Sequence, residues 1–125
     1  MENIIQEAKK VIDQKYDKSK HQVGCALITK SGKIYVGISI RGQKINTCGE
    51  WHALSNAFLA GDYDIEMGVA VQKFEDGTFE ILPPCGLCRE FYITYCPNAE
   101  IIVSENQKIK ASELISYPWV KSKKK

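Results

Sequence analysis

No stretch of this chain is apolar for the ~20 residues that a membrane-spanning helix needs, and its start, MENIIQEAKK, carries charge where a signal peptide would be apolar. No membrane partner and no export signal are expected, and the chain is read as cytoplasmic. Net charge is equally scarce: 17 Lys and Arg against 15 Asp and Glu leave +2. The excess lies in lysines near the two ends, the last residues reading KSKKK, and no segment interleaves clustered Lys and Arg with aromatics as a nucleic-acid face does. That basic end reads as a solvated tail, and no nucleic-acid partner is expected. Linkers and internal repeats are also lacking. A 125-residue chain that is 44% hydrophobic then forms one compact domain, residues 1–125, long enough to bury about two-thirds of its unfolded surface. Five cysteines are an odd number, and with no export signal they argue against a disulfide framework and for reduced thiols or metal ligands.

Periodicity supplies the frame. Ile4, Ile5, Ala8, Val11 and Ile12 recur at helical spacing, which predicts an amphipathic helix over about 3–16. Val23 to Thr29 is apolar on both faces, Lys30-Ser31-Gly32-Lys33 supplies a tight turn, and Ile34, Val36, Ile38 and Ile40 alternate along a second strand. A helix is predicted from Cys48 to about Ala60, with Gly61 placed as its C-terminal cap. Met67 to Phe74 reads as a third strand, and Cys85 to about Tyr95 as a helix entered from Pro83-Pro84 and closed by Pro97. Ile101–Val103, Lys108–Lys110 and a helical turn at 112–115 complete the chain. The pattern predicts an α/β fold, a three-layer α/β/α sandwich around a mixed five-stranded sheet.

Three cysteines and one glutamate carry the chemistry: Cys48 and Glu50 in TCGEWHA, then Cys85 and Cys88 in PPCGLCRE. Three thiolates hold a zinc ion and leave its fourth position open, which distinguishes a catalytic site from a closed structural one. Cys48 opens one predicted helix, and Cys85 with Cys88 opens the other, the last two one turn apart on one face. Two helix N-termini then point at one metal and offset its thiolate charge. Glu50, in the first turn after Cys48, can take a proton from water at the open position.

Two other readings use the same cysteines. Cys-Gly-Leu-Cys alone suits a thioredoxin-like redox site, which leaves Cys48 and Glu50 without a role. A structural zinc site needs His52 as its fourth ligand, which leaves Glu50 idle. Cys25, in a buried strand, and Cys96, at a helix end, read as small apolar fillers. His21 and His52 read as polar neighbours of the site, each with a possible contact to substrate.

Cys-x-Glu followed by Pro-Cys-x-x-Cys is the pattern of zinc deaminases acting on nucleobases, with Glu as general acid and base. On Cys48-Gly49-Glu50-Trp51 and Pro84-Cys85-Gly86-Leu87-Cys88-Arg89-Glu90 the chain resembles the cytidine deaminase superfamily, in which these runs read Cys-Ala-Glu-Arg and Pro-Cys-Gly-x-Cys-Arg-Gln. The likeness extends upstream to VGCALITKSGKIYVGISI and downstream to SELISYPW. It implies a cytidine deaminase-like fold, Zn2+ as cofactor, loss of ammonia from an aminopyrimidine nucleoside, and a homotetramer whose subunits complete one another's sites. Trp119 is then a candidate aromatic wall over the base.

Departures from the family pattern cluster at the substrate end. The family's Gly-x-Asn-x-Glu segment reads the sugar, and here it is Gly37-Ile38-Ser39-Ile40-Arg41. The acceptor Glu becomes Arg41, a permanent cation with no acceptor. Phe-Pro-Val-Gly-Ala becomes His21-Gln22-Val23-Gly24-Cys25, and Trp51 replaces an arginine that offsets the thiolates, leaving Arg89 for that role. Ser39, Arg41, His21, Gly49 and Trp119 are the candidate substrate-binding positions. Blasticidin S deaminases resemble this chain in keeping the metal and acid–base core, in losing the sugar-binding Glu and in a Trp-containing end, as at Tyr117-Pro118-Trp119. A modified cytosine nucleoside of that kind is the expected substrate, with ordinary cytidine or deoxycytidine as the alternative. A zinc-stabilised binding module without turnover is the alternative from another class, favoured by Gly49 and Trp51.

Overall fold

The computed structural model describes residues 1–122; of the basic end, Lys123–Lys125 lie outside the described residues. Helix α1 (Glu2–Lys15) buries Ile4, Ile5, Ala8 and Ile12, the stripe that its spacing predicts. Strands β1 (Val23–Thr29) and β2 (Ile34–Ile38) form the expected hairpin, with Gly32 at φ +87° in the turn. Asp62 ties that turn to the body: its Oδ2 accepts hydrogen bonds from Thr29, Ser31 and Tyr35 at 2.7, 2.9 and 3.1 Å.

The second strand ends sooner than its alternation predicts. Ser39 donates its N–H to the Val23 carbonyl, and its hydroxyl accepts from the N–H groups of Gln22 and Val23 at 3.2 and 3.0 Å. Its side chain thus takes over donors of the adjoining segment, and the ladder breaks there. Ile40 instead belongs to a separate two-stranded ribbon, β3 (Ile40–Arg41) with β4 (Asn46–Thr47).

Helix α2 (Gly49–Leu59) follows, closed by Gly61 at φ +76° as expected of a C-terminal glycine. The remaining elements are β5 (Ile65–Lys73), β6 (Phe79–Leu82), α3 (Gly86–Tyr95), β7 (Glu100–Ser104), β8 (Gln107–Lys110) and a 3₁₀ turn (Ala111–Glu113). The sheet runs β2-β1-β5-β7-β8, and β6 also pairs with β5, so it has six strands where five were predicted. The extra strand was legible: Asp76-Gly77 is a hairpin turn, with Gly77 at φ +88°, before the alternating Phe79-Glu80-Ile81. β5 and β7 are parallel and the other pairs antiparallel, which makes the sheet mixed. One edge of β5 lies against β1; the other is shared, β7 pairing at Met67 and Gly68 and β6 at Ala70–Lys73. Where β7 stops, β6 takes over and carries Leu82-Pro83-Pro84 toward the start of α3.

Alternation along β1 sends Ala26 toward α1, together with Val69, Val71 and Ile102, and sends Cys25 and Leu27 toward α2 and α3, with Ala53, Leu54, Ala57 and Tyr92. These two cores on opposite faces make the three layers. Cys96 and Cys25 are buried in the second core, where burial pushes the Cys96 thiol up to about 12 and the Cys25 thiol well above its ordinary value. Both are the packed, un-ionised fillers expected.

The first turn of α2 reaches its place because β2 offers no side chain in its way. A Cβ on Gly37 would stand 2.4 Å from the Gly49 carbonyl and 2.5 Å from the Ala53 nitrogen, both backbone atoms that cannot swing aside. Gly37→Ala must push α2 off the sheet. It is expected to cost about 3 kcal/mol, as severe overpacking does, and to lower Tm by on the order of 10 °C in a domain this size. A calorimetric Tm within about 3 °C of the parent would show that α2 has room to accept a side chain at Gly37.

Candidate active site

Cys48 and Cys85 each occupy the N-cap of a helix, in extended backbone at φ −81°, ψ 146° and φ −67°, ψ 170°, and the N–H groups of Leu87 and Cys88 act on the Cys85 sulfur. Cys88 sits in the first turn of α3. The Cys48 and Cys85 sulfurs are 3.4 Å apart, those of Cys85 and Cys88 3.5 Å, and all three lie within 4.8 Å of one another. Tetrahedral zinc with bonds of about 2.3 Å needs sulfurs about 3.8 Å apart, a few tenths of an ångström beyond the two shorter separations.

Their protonation fits a cation as well. Burial opposes ionisation of Cys85, but the N–H groups of Cys88 and Leu87 and the two neighbouring thiols hold it below its ordinary value. Burial, with the Cys85 contact next, pushes the Cys48 thiol up to about 11, and burial, with the Glu50 charge next, pushes Cys88 higher still. Burial thus disfavours negative charge on Cys48 and Cys88, and a divalent cation held by the three sulfurs would offset it. A soft three-thiolate set suits Zn2+.

Glu50, in the first turn of α2, is buried with 5% of its surface exposed, and that burial raises its carboxyl above the usual carboxylate range. It opens on a cavity of about 180 Å³ together with Cys48, Cys85, Gly49, Ser39 and Asn46; Leu82 and Pro83 form the opposite wall. The glutamate and two of the three cysteines therefore face one space. His52 is no fourth ligand: its Nε2 lies 3.0 Å from the Thr47 hydroxyl.

The candidate substrate residues divide. Ser39 and Gly49 line the cavity. Gly49 has a packing reason for lacking a side chain, since a Cβ would stand 3.2 Å from the Gly37 carbonyl and 3.3 Å from the Cys25 Cβ. Arg41 is exposed and does not line the cavity; it is the cross-strand partner of Asn46, which does. His21 lies behind Ser39: its Nδ1 meets the Ser39 carbonyl at 2.9 Å and must carry the proton, because a carbonyl only accepts. Trp119 is 79% exposed and, with Pro118 and Ile93, lines a separate surface pocket beside α3 and not this cavity. Trp51 turns its ring edge-on to Phe91, 5.5 Å away, in an outer groove. Asn46 and the Leu82-Pro83 wall escaped the sequence reading; the Asp76-Gly77 turn pointed to the wall, and nothing in the spacing pointed to Asn46.

A cluster built this way should bind one zinc per chain. Elemental analysis of protein purified under reducing conditions should find it, and a Cys48, Cys85, Cys88 triple-serine variant should lose it. Equal zinc in parent and variant would place the metal elsewhere.

Over residues 1–105 the chain matches the family model described as the cytidine and deoxycytidylate deaminase zinc-binding region. It is 30% identical to a blasticidin-S deaminase of Bacillus cereus over 112 residues, 85% of this chain and 80% of that protein. It is 34% identical to a cytidine deaminase of Halalkalibacterium halodurans over 104 residues, 78% and 76% of the two chains. The fold is shared with the crystal structure of the Bacillus anthracis cytidine deaminase, at TM-score 0.80 and 19% identity, over 94% of this chain and 88% of that one. The Burkholderia pseudomallei enzyme matches at TM-score 0.76 and 24% identity, over 94% and 98%. With the thiol cluster and Glu50 at one cavity, these likenesses place the chain in the family of zinc-dependent cytidine and deoxycytidylate deaminases, hydrolases of carbon–nitrogen bonds.

Proposed function

We propose that this protein hydrolyses the exocyclic amine of a cytosine nucleoside or of a modified cytosine nucleoside resembling blasticidin S, releasing ammonia and leaving a carbonyl. The observation that carries the reading is the buried Glu50 carboxyl opening on the same cavity as the cysteine cluster. Zinc, when bound, supplies the Lewis acid that makes a water nucleophilic near neutral pH. Glu50 would take that water's proton and deliver it to the ring nitrogen beside the amine-bearing carbon as the water oxygen bonds to that carbon. The remaining O–H proton follows the same path to the amine, the carbon–nitrogen bond breaks, and ammonia leaves as the carbonyl forms. A raised carboxyl pKa suits a group that must hold a proton between these transfers.

Support for the substrate class comes from the cavity's size and rim. At about 180 Å³ it suits a single ring, below the roughly 300–1,000 Å³ of complete small-molecule sites. The rest of the substrate must pass the ribbon that carries Asn46 and Arg41. An arginine there favours an anionic substituent such as a carboxylate over hydroxyls. Ordinary cytidine or deoxycytidine is the second reading, favoured by the likeness to a cytidine deaminase.

Ammonia release from cytidine, deoxycytidine, cytosine, blasticidin S and purine nucleosides tests both readings. Glu50→Gln should keep its zinc and lose turnover by about 10²–10⁴-fold. Arg41→Ala should weaken an anion-bearing substrate by about 1.5–3 kcal/mol and leave neutral cytidine nearly unchanged. Release from none of the compounds sinks the proposal; equal losses on both substrates return Arg41 to the solvent.

The incomplete cavity also supports a homotetramer. A second copy can supply what one chain lacks, and Trp119, displaced from its own site, is available to cover a neighbour's. An aromatic groove of about 350 Å³ on the outer side of α2 and α3, lined by Trp51, Phe58, Tyr63, Phe91 and Tyr95, is a surface suited to subunit contact. Reduced thiols and the absence, among the described residues, of a helix long and apolar enough to cross a membrane accord with a cytoplasmic setting. Sedimentation velocity should give a tetramer, and a fully active monomer would contradict the shared site.

A further inference from the structure

Arg89 follows Cys88 directly on α3, yet its guanidinium makes no hydrogen bond to a thiol. Its Nε donates to the Pro84 carbonyl at 2.8 Å and its Nη1 to the Leu114 carbonyl at 3.1 Å. No carboxylate pairs with it among the described residues. Two of its N–H groups donate to main-chain oxygens, and the thiolate-offsetting role that the sequence left to it has no direct hydrogen bond to a sulfur.

Those two oxygens belong to different parts of the molecule. The Pro84 carbonyl is in the peptide that presents Cys85, at the joint between the β6 wall and α3. Leu114 ends the 3₁₀ turn and begins the segment that carries Pro118 and Trp119 onto the outer face of α3. Pro84 and Leu114 are both buried, so without the guanidinium their carbonyls have little water to turn to. The fork is planar and rigid, and a shift of either carbonyl must be felt by the other.

We propose that Arg89 is a positioning residue that fastens the Cys85-bearing turn to the C-terminal segment, so that metal retention and the seating of Trp119 are linked. The proposal rests on the reading of the three cysteines as a zinc site. Linkage of this kind is reciprocal: losing the metal loosens the segment, and losing the fork loosens the metal.

The test uses the full chain in a Trp51→Phe background, which leaves Trp119 as the one indole of the two in the sequence. Zinc transfer to a chromophoric chelator gives the release rate, and Trp119 emission is read before and after chelation. With Arg89 in place, chelation should shift the emission. Arg89→Met should release zinc at least about tenfold faster, the lower end of what loss of a partner behind a metal ligand does, and its emission should no longer respond to chelation. Arg89→Lys, whose single nitrogen cannot hold both positions, should fall between. A folded Arg89→Met that releases zinc at the reference rate, or keeps the full emission response, overturns the proposal. If the Met variant does not fold, the Lys variant decides alone, and behaviour identical to the reference overturns it. A chain that binds no zinc fails at the cysteine cluster and takes the active-site reading down as well.

Discussion

The closeness of the α2 and α3 N-termini, with the Cys48 and Cys85 sulfurs 3.4 Å apart, constrains the rest of the molecule, because neither helix can slide by a turn without dissolving the site. Each neighbouring element removes one freedom. Gly37 lets α2 lie directly on β2, its carbonyl-to-backbone approach tighter than any side chain would permit. The shared edge of β5 ends β7 where β6 begins, so the chain enters α3 from a wall beside the cavity. Arg89 holds the carbonyl just before Cys85. The sheet thus serves the site mainly by bringing two helix starts to one point.

Charge explains why those starts are needed. Three thiols and a buried carboxyl concentrate potential negative charge; Trp51 stands where the family pattern has arginine, and Arg89, the cation next to Cys88, hydrogen-bonds main-chain carbonyls and not a thiol. What remains on the protein side is the partial positive charge of the helix N-termini, visible in the N–H groups of Leu87 and Cys88 that favour ionised Cys85. Burial works in the opposite direction on Cys48, Cys88 and Glu50. A divalent cation held by the three sulfurs would offset that cost.

The elements that position catalysis were legible because their signals are local. Cys48 and Glu50 are two residues apart, Cys85 and Cys88 three, and each pair sits at a helix start marked by its own sequence. Gly32 and Gly61 punctuate where expected. The misses came from non-local competition. Ile34 to Ile40 alternates as one strand, but Ser39 has both the reach and the acceptor to capture two N–H groups from the adjoining segment, and no propensity argument weighs that. The Asp76-Gly77 hairpin was readable, yet its partner strand was hidden by a short, half-exposed run. Asn46 has no signal at all; it faces the cavity only because the ribbon folds back.

The same contrast separates what the protein does from what it acts on. Proton transfer and metal binding rest on side chains whose backbone is held by helix caps and a packed sheet, and such positions tolerate little drift. Under the proposed function, the substrate's far end would meet the two-residue-deep ribbon that carries the exposed Arg41. That ribbon lies at the rim, where a change of residue costs the fold little and alters the ligand directly. The departures at Ser39, which lines the cavity, at His21 behind it and at Arg41 on the ribbon leave Cys48, Glu50, Cys85 and Cys88 intact. A cavity about one ring in volume enforces the division physically: whatever distinguishes one cytosine derivative from another must be read outside the walls that perform the reaction.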